Sequence, residues 1–344
     1  MADEQDPPGA AGSRRTVEGP YFEDLARGDV YSGSPALTLT AGHAAVHQAV
    51  TGDRLRLCHD HQLSRQVTGE AEPLLHPALV WDTAIGQSSE VTRNVVANLF
   101  YRGLAFRRFP HQGDTLHTRT EVVGLRQNRA RPGRSPTGLA LLRIRTVDQQ
   151  QREVLDFRRC AMLPLRSPEA VTGHDDDLEA AAGIADGDGR GAASGWRLDG
   201  FRDVAGGAHF AEMRAGTAFD VAAGDVVSSA PELARLTLNI AAVHHDAGSS
   251  QPRLVYGGHT VALALAQATR AIPNLVTVLA WQGCDHLAPV REGDTLRSEV
   301  TVESVEGLPA GGGLMRLRSR VRARPPASPA ETPVLDWRFT ALMA

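Results

Sequence analysis

The chain has 344 residues, 42% of them hydrophobic, and a formal net charge of −4 at pH 7. That length exceeds what one compact core usually takes, so two domains are expected, and mild acidity with no basic block argues against a nucleic-acid partner. Its three cysteines, Cys58, Cys160 and Cys284, lie far apart with no CxxC, and all 36 basic residues are Arg; this excludes a disulfide framework, a cysteine zinc site and lysine Schiff-base chemistry, and fits a reducing cytoplasm.

Residues 1–18 are small, polar and proline-bearing and lack the apolar run of a secretory signal, so they are expected to be disordered and not to serve as one. The first unit, 19–165, opens with a short helix over AGHAAVHQAVTG (41–52). A longer helix over PALVWDTAIGQSS follows, and a helix apolar on nearly all sides must be buried on nearly all sides. Four strand-like segments come next, at 95–109, 115–126, 137–148 and 152–163. Residues 166–204 carry an acidic run and many Gly and Ala, which reads as a flexible linker. The second unit, 205–344, begins with a short helix over PELARLTLN and a buried one over GGHTVALALAQATRAI (257–272). In LRSEVTVESV (296–305), Leu296, Ser298, Val300 and Val302 alternate with Arg297, Glu299, Thr301 and Glu303, which marks a half-buried antiparallel strand. No apolar run reaches the ~18 residues a membrane span needs.

The two units match each other. VLDFRRCAML (154–163) pairs with VLDWRFTALM (334–343), QGDTLHTRTEV (112–122) with EGDTLRSEVTV (292–302), and EPLLHPALVWDTAIGQS (72–88) with PRLVYGGHTVALALAQA (252–268). All three pairs share one offset of 180 residues. The chain therefore reads as two copies of one domain of about 140 residues, each an α+β unit with a buried helix and an antiparallel sheet wrapped around it.

A helix wrapped by a curved sheet resembles the hotdog fold, and two copies resemble a double hotdog. The second copy resembles the MaoC-type hydratases, whose signature loop TGDxNPLHxD is followed by a segment like RIVHGMLT. LTLNIAAVHHD (236–246) and RLVYGGHT (253–260) occupy those places. The family's catalytic Asp falls on Asn239, its catalytic His on His244, and its His-Gly pair on Tyr256 and Gly257. YFEDL (21–25), VANLFY (96–101), the GDT turns and RLVYGGH are similar to the mesaconyl-CoA hydratase (β-methylmalyl-CoA dehydratase) group, which also carries Asn at the Asp position. The chain also resembles an uncharacterised mycobacterial-type double-hotdog protein. In the first copy, VTGDRLRLCHD (50–60) keeps Asp53, but Cys58 stands where the histidine belongs and His59 comes one position late. A one-residue shift re-aims a helical side chain by roughly 100°, so this copy is expected to shape the substrate channel.

The resemblance implies reversible addition of water to an enoyl-CoA thioester, including one with a branched or dicarboxylic acyl group. A base must activate water, a proton must reach the α-carbon, and the thioester oxygen needs donors. His244 suits the first task; the amides around Gly257 and Gly258, at a helix start, suit the third. Asn239 cannot accept and return a proton. Either His244 serves both proton steps, or another group among Asp246, Asp285 and His286 contributes, or the hydratase activity is lost. Two alternatives stand beside the hydratase: a non-catalytic acyl-CoA binder, and a thioesterase, which would want a carboxylate near the helix start. CoA thioester is expected as substrate, with no cofactor and no metal, in a cytoplasmic monomer or homodimer. The ARPGR stretch (130–134) reads as an exposed loop, with a grip on CoA phosphates as the other reading, and the DDD run (175–177) as solvated linker.

Overall fold

The apolar stretch from Pro77 can face water on no side, and burying it organises the first unit. The computed structural model describes residues 17–183, 187–246, 248 and 253–344; the disorder expected over 1–18 falls almost wholly outside them. Short strands β1 (Val30–Tyr31) and β2 (Leu37–Thr38) precede helices α1 (Ala41–Thr51), α2 (Arg56–His59), α3 (His61–Thr68) and α4 (Pro77–Gln87). Four long strands follow: β3 (Ala97–Phe106), β4 (Thr115–Gln127), β5 (Thr137–Val147) and β6 (Glu153–Pro164). Helices α5 (Leu178–Ala182) and α6 (Leu198–Val204) lead to β7 (Ala218–Asp220), β8 (Asp225–Val226), α7 (Ala230–Leu236) and α8 (Gly257–Ala271). Strands β9 (Leu275–His286), β10 (Thr295–Gly307), β11 (Gly313–Arg324) and β12 (Thr332–Met343) complete the second unit.

Local chemistry sets the ends of these helices. Thr40 caps α1 by accepting from the His43 amide, and Gly52 ends it in the left-handed conformation. Pro77 occupies the first turn of α4, where a missing N–H costs nothing. Every residue of α4 is buried, as is nearly all of α8.

The strands form one antiparallel sheet in the order β1-β4-β5-β6-β3-β9-β12-β11-β10-β7. Its halves meet where β3 pairs with β9, with Tyr101 opposite Cys284 and Arg102 opposite Gly283. The two central helices pack together inside, and one hydrophobic cluster runs through both units. Trp81 of α4 lies 4.8 Å from Trp281 of β9, centroid to centroid, and 6.2 Å from Trp337 of β12. This is the expected double hotdog. The alternation expected for 296–305 holds: Leu296, Ser298, Val300 and Val302 are buried, while Arg297, Glu299 and Glu303 are exposed. Among the described residues no helix is long and apolar enough to cross a membrane.

The flexible linker expected over 166–204 is a correction. Leu178 and Ala182 of α5 are buried against Leu139, Leu141 and Phe100. Phe201 of α6 is fully buried in the main core, and the Arg197 amide donates to the Val67 carbonyl at 2.8 Å. The acidic run is also in use: Asp176 accepts from the Leu125 amide at 2.8 Å, and Asp177 caps α5. Its described residues, on both sides of 184–186, form a strap anchored at each end.

Candidate active site

His244 closes a short 3-10 turn, Ala242–His244, between α7 and α8. It is 3% exposed, and its Nδ1 lies 3.0 Å from the Leu254 carbonyl oxygen. A carbonyl can only accept, so Nδ1 carries the proton and Nε2 keeps a bare lone pair. Nε2 is buried with no hydrogen-bond partner. Burial pulls its pKa down to about 4, so the ring is neutral at pH 7.

His244 faces a cleft of about 540 Å³, lined also by Asn98, Gly257, Thr260, His286 and Arg291. Gly257 begins α8, and the amides of Gly257 and Gly258, ahead of the His259 amide that donates to the Tyr256 carbonyl at 3.0 Å, lie at the end of the helix that stabilises negative charge. A Cβ at Gly257 would sit 2.9 Å from His286 Nε2, so glycine here lets the imidazole lie over the helix start. His286 Nε2 is buried and unpartnered, and burial lowers this pKa to about 4 as well. No carboxylate lines this cleft among the described residues.

The other expected site residues stand behind the cleft. Asn239 is buried, and its Oδ1 accepts from the Ala241 amide at 3.0 Å, closing the turn that leads to His244. His245 holds the same turn, with Nε2 2.6 Å from the Asn239 carbonyl. Tyr256 is fully buried, and its hydroxyl donates to Asp82 of α4, 3.2 Å from the carbonyl and 3.3 Å from Oδ1. Gly258 packs against that pair, since a Cβ there would lie 2.0 Å from Asp82 Oδ1. Desolvation pushes the Asp82 carboxyl well above the usual range, so this is a buried, protonated neighbour. Of the three further candidates, only His286 reaches the cleft. Asp285 pairs with Arg102 at 2.8 Å, and Asp246 accepts from the Gly248 amide at 2.7 Å.

The first copy is built differently at the matching helix start. Pro77 has no N–H, and the next amide, Ala78, donates to His76 Nδ1 at 3.1 Å. Neither is available to a ligand. His76 Nε2 lies 3.1 Å from Asp53 Oδ1, and His59 Nε2 3.2 Å from the same oxygen. The two imidazoles outweigh burial and hold the Asp53 carboxyl far below its ordinary value; its Oδ1 also accepts from the Leu55 amide at 3.0 Å. His47, Asp53 and His76 have the spacing of a metal trio. Because His76 Nδ1 accepts an N–H, however, Nε2 carries the proton and faces Asp53, leaving no lone pair for a metal. His76 escaped the sequence reading, although it lies at the position matching Tyr256. Cys58 is inert there: burial raises its thiol well above the ordinary value.

No family model matches the chain. β-Methylmalyl-CoA dehydratase of Chloroflexus aurantiacus is 27% identical over 353 residues, covering 96% of this chain and 99% of that one. Mesaconyl-CoA hydratase of Cereibacter sphaeroides is 28% identical over 313 residues, covering 88% and 89%. Among solved structures, RV0216 of Mycobacterium tuberculosis, described as having a double hotdog fold, is 53% identical with a TM-score of 0.88, covering 95% and 99%.

Proposed function

This chain belongs to the double-hotdog family that includes RV0216, and from that premise we propose that it is an acyl-CoA hydratase/dehydratase, adding water reversibly to an enoyl-CoA thioester. The observation that carries the reading is His244: a neutral imidazole, fixed through Nδ1, with a bare, buried Nε2, in a residue that lines a cleft beside a helix start. The curated relatives' names supply the CoA thioester as substrate class.

In this reading Nε2 of His244 takes a proton from water as the water oxygen bonds to the β-carbon. The electron pair of the C=C bond moves toward the thioester oxygen, where the Gly257 amide at the start of α8 stabilises the enolate-like charge. The His244 imidazolium then gives its proton to the α-carbon, and dehydration is the reverse. One base serves both proton steps, so the missing carboxylate at Asn239 is not needed for proton transfer. Asn239 acts as a positioning residue for the turn, Tyr256 orders the helix start, and His286 helps hold the water.

The absence of a carboxylate among the cleft's described residues favours a second reading over the thioesterase, that of a thioester binder without turnover. An enoyl-thioester absorbance assay with crotonyl-, longer enoyl-, mesaconyl- and methylmalyl-CoA separates the two. Turnover by the wild type, abolished in a folded His244→Ala variant, is expected. Binding of these thioesters without turnover of any of them would move the protein to the second reading.

A further inference from the structure

A groove of about 940 Å³ runs along the β4–β5 hairpin. Arg126, Arg129, Arg131 and Arg134 line it, and Asp175 is the one acid among its lining residues. None of these four guanidiniums forms an ion pair among the described residues, whereas neighbouring arginines on the same sheet do, as Arg143 does with Asp156 at 2.5 Å. Gathering like charges at one turn is unfavourable unless an anion joins them. The arginine fork matches phosphate oxygens in pairs.

Two further observations tie the groove to the cleft. Val96 lines both, so the groove lies next to the cleft that His244 lines. The duplication also supplies an internal control. The matching β10–β11 connection, Leu308-Pro-Ala-Gly-Gly312, carries no charged side chain. The arginines occur only on the copy whose hairpin adjoins the second copy's cleft.

We propose that this groove is the phosphate-binding end of the thioester site, holding the phosphate groups of coenzyme A while the acyl end lies at His244. The proposal rests on the thioester reading above. It assigns the cleft to a thioester of CoA, whose pyrophosphate and 3′-phosphate sit at the far end of the pantetheine arm, and not to one carried on an acidic protein.

The test is equilibrium binding of CoA and of pantetheine to the full chain, wild type and R129Q/R131Q/R134Q. These three side chains are exposed, and equal melting temperatures check that the variant is folded. The wild type should prefer CoA, with affinity falling as salt rises. The variant should bind CoA on the order of tenfold or more weakly, and its preference over pantetheine should collapse. Unchanged CoA affinity in the variant, or a wild type that binds pantetheine as tightly as CoA, overturns the proposal. So does a wild type that ignores CoA but binds an acyl carrier protein. The readout is binding, so a protein that binds CoA through these arginines yet hydrates nothing would fail the hydratase reading alone.

Discussion

His244 and His286 make the cleft a pair of weak bases. Burial lowers both pKa values to about 4, so the lone pair on Nε2 of His244 survives well below neutrality. The sign follows directly: activity that needs a neutral imidazole is lost as pH falls through the pKa in the site. The acid limb of kcat/KM for an enoyl-CoA should therefore lie near pH 4, and a limb at the ordinary imidazole value of about 6.5 would remove His244 as the base. The adjacent glycines should separate chemistry from packing. Gly257→Ala pushes a methyl group against the ring end of the His286 side chain, so turnover should fall with little change in melting temperature. Gly258→Ala meets buried Asp82 and the Tyr256 ring, and overpacking there should cost about 2 kcal/mol in a denaturant titration. Sequence spacing pointed to His244 and the glycine pair because the signature is local. His286 could not be placed by spacing, because the end of β9 meets the start of α8 only in the folded sheet. The buried state of Asn239 and Tyr256 was equally hidden: both sit at signature positions, and only their partners, Ala241 and Asp82, reveal that they order the site from behind.

The central helices were legible because α4 and α8 are apolar on every face, and β10 because its side chains alternate. The strap was not. Its helices α5 and α6 have five and seven residues, too few for a periodic signal to rise above the surrounding Gly, Ala and Asp. Each is held by one or two apolar anchors, and composition alone cannot distinguish an anchored strap from a loose tether. Phe201 makes the difference measurable. It is fully buried in the main core, so Phe201→Ala should lower stability by about 3–5 kcal/mol in urea. A change within about 0.5 kcal/mol, as for exposed linker positions, would return the segment to the linker reading.

The 180-residue offset exposed the duplication, but it could not show that the copies share a sheet and a core, because the β3–β9 seam pairs strands from different copies. That shared interior also concentrates neutral histidines. His244 and His259, like His286, are held to pKa values of about 4, and His47 lies well below its ordinary value, with burial the leading cause for each. The unfolded chain binds these protons near pH 6.5 and the native one refuses them, so their contribution is full above about 6.5 and is lost as pH falls toward 4. Asp82 and His59, with their pKa values raised, work in the opposite sense, but they are two groups against four buried imidazoles. Asp53, with its pKa depressed, matters only as pH falls below its ordinary value. Stability should thus drop between pH 7 and pH 5, with fully buried His259 alone accounting for roughly 2 kcal/mol by pH 5. Neither of its ring nitrogens has a partner to lose, so His259→Leu should be tolerated at pH 7 and flatten the decline. Melting curves of wild type and variant at the two pH values test this: equal pH dependence would mean that His259 takes up its proton in the native state, and that the interior is wetter than its burial implies.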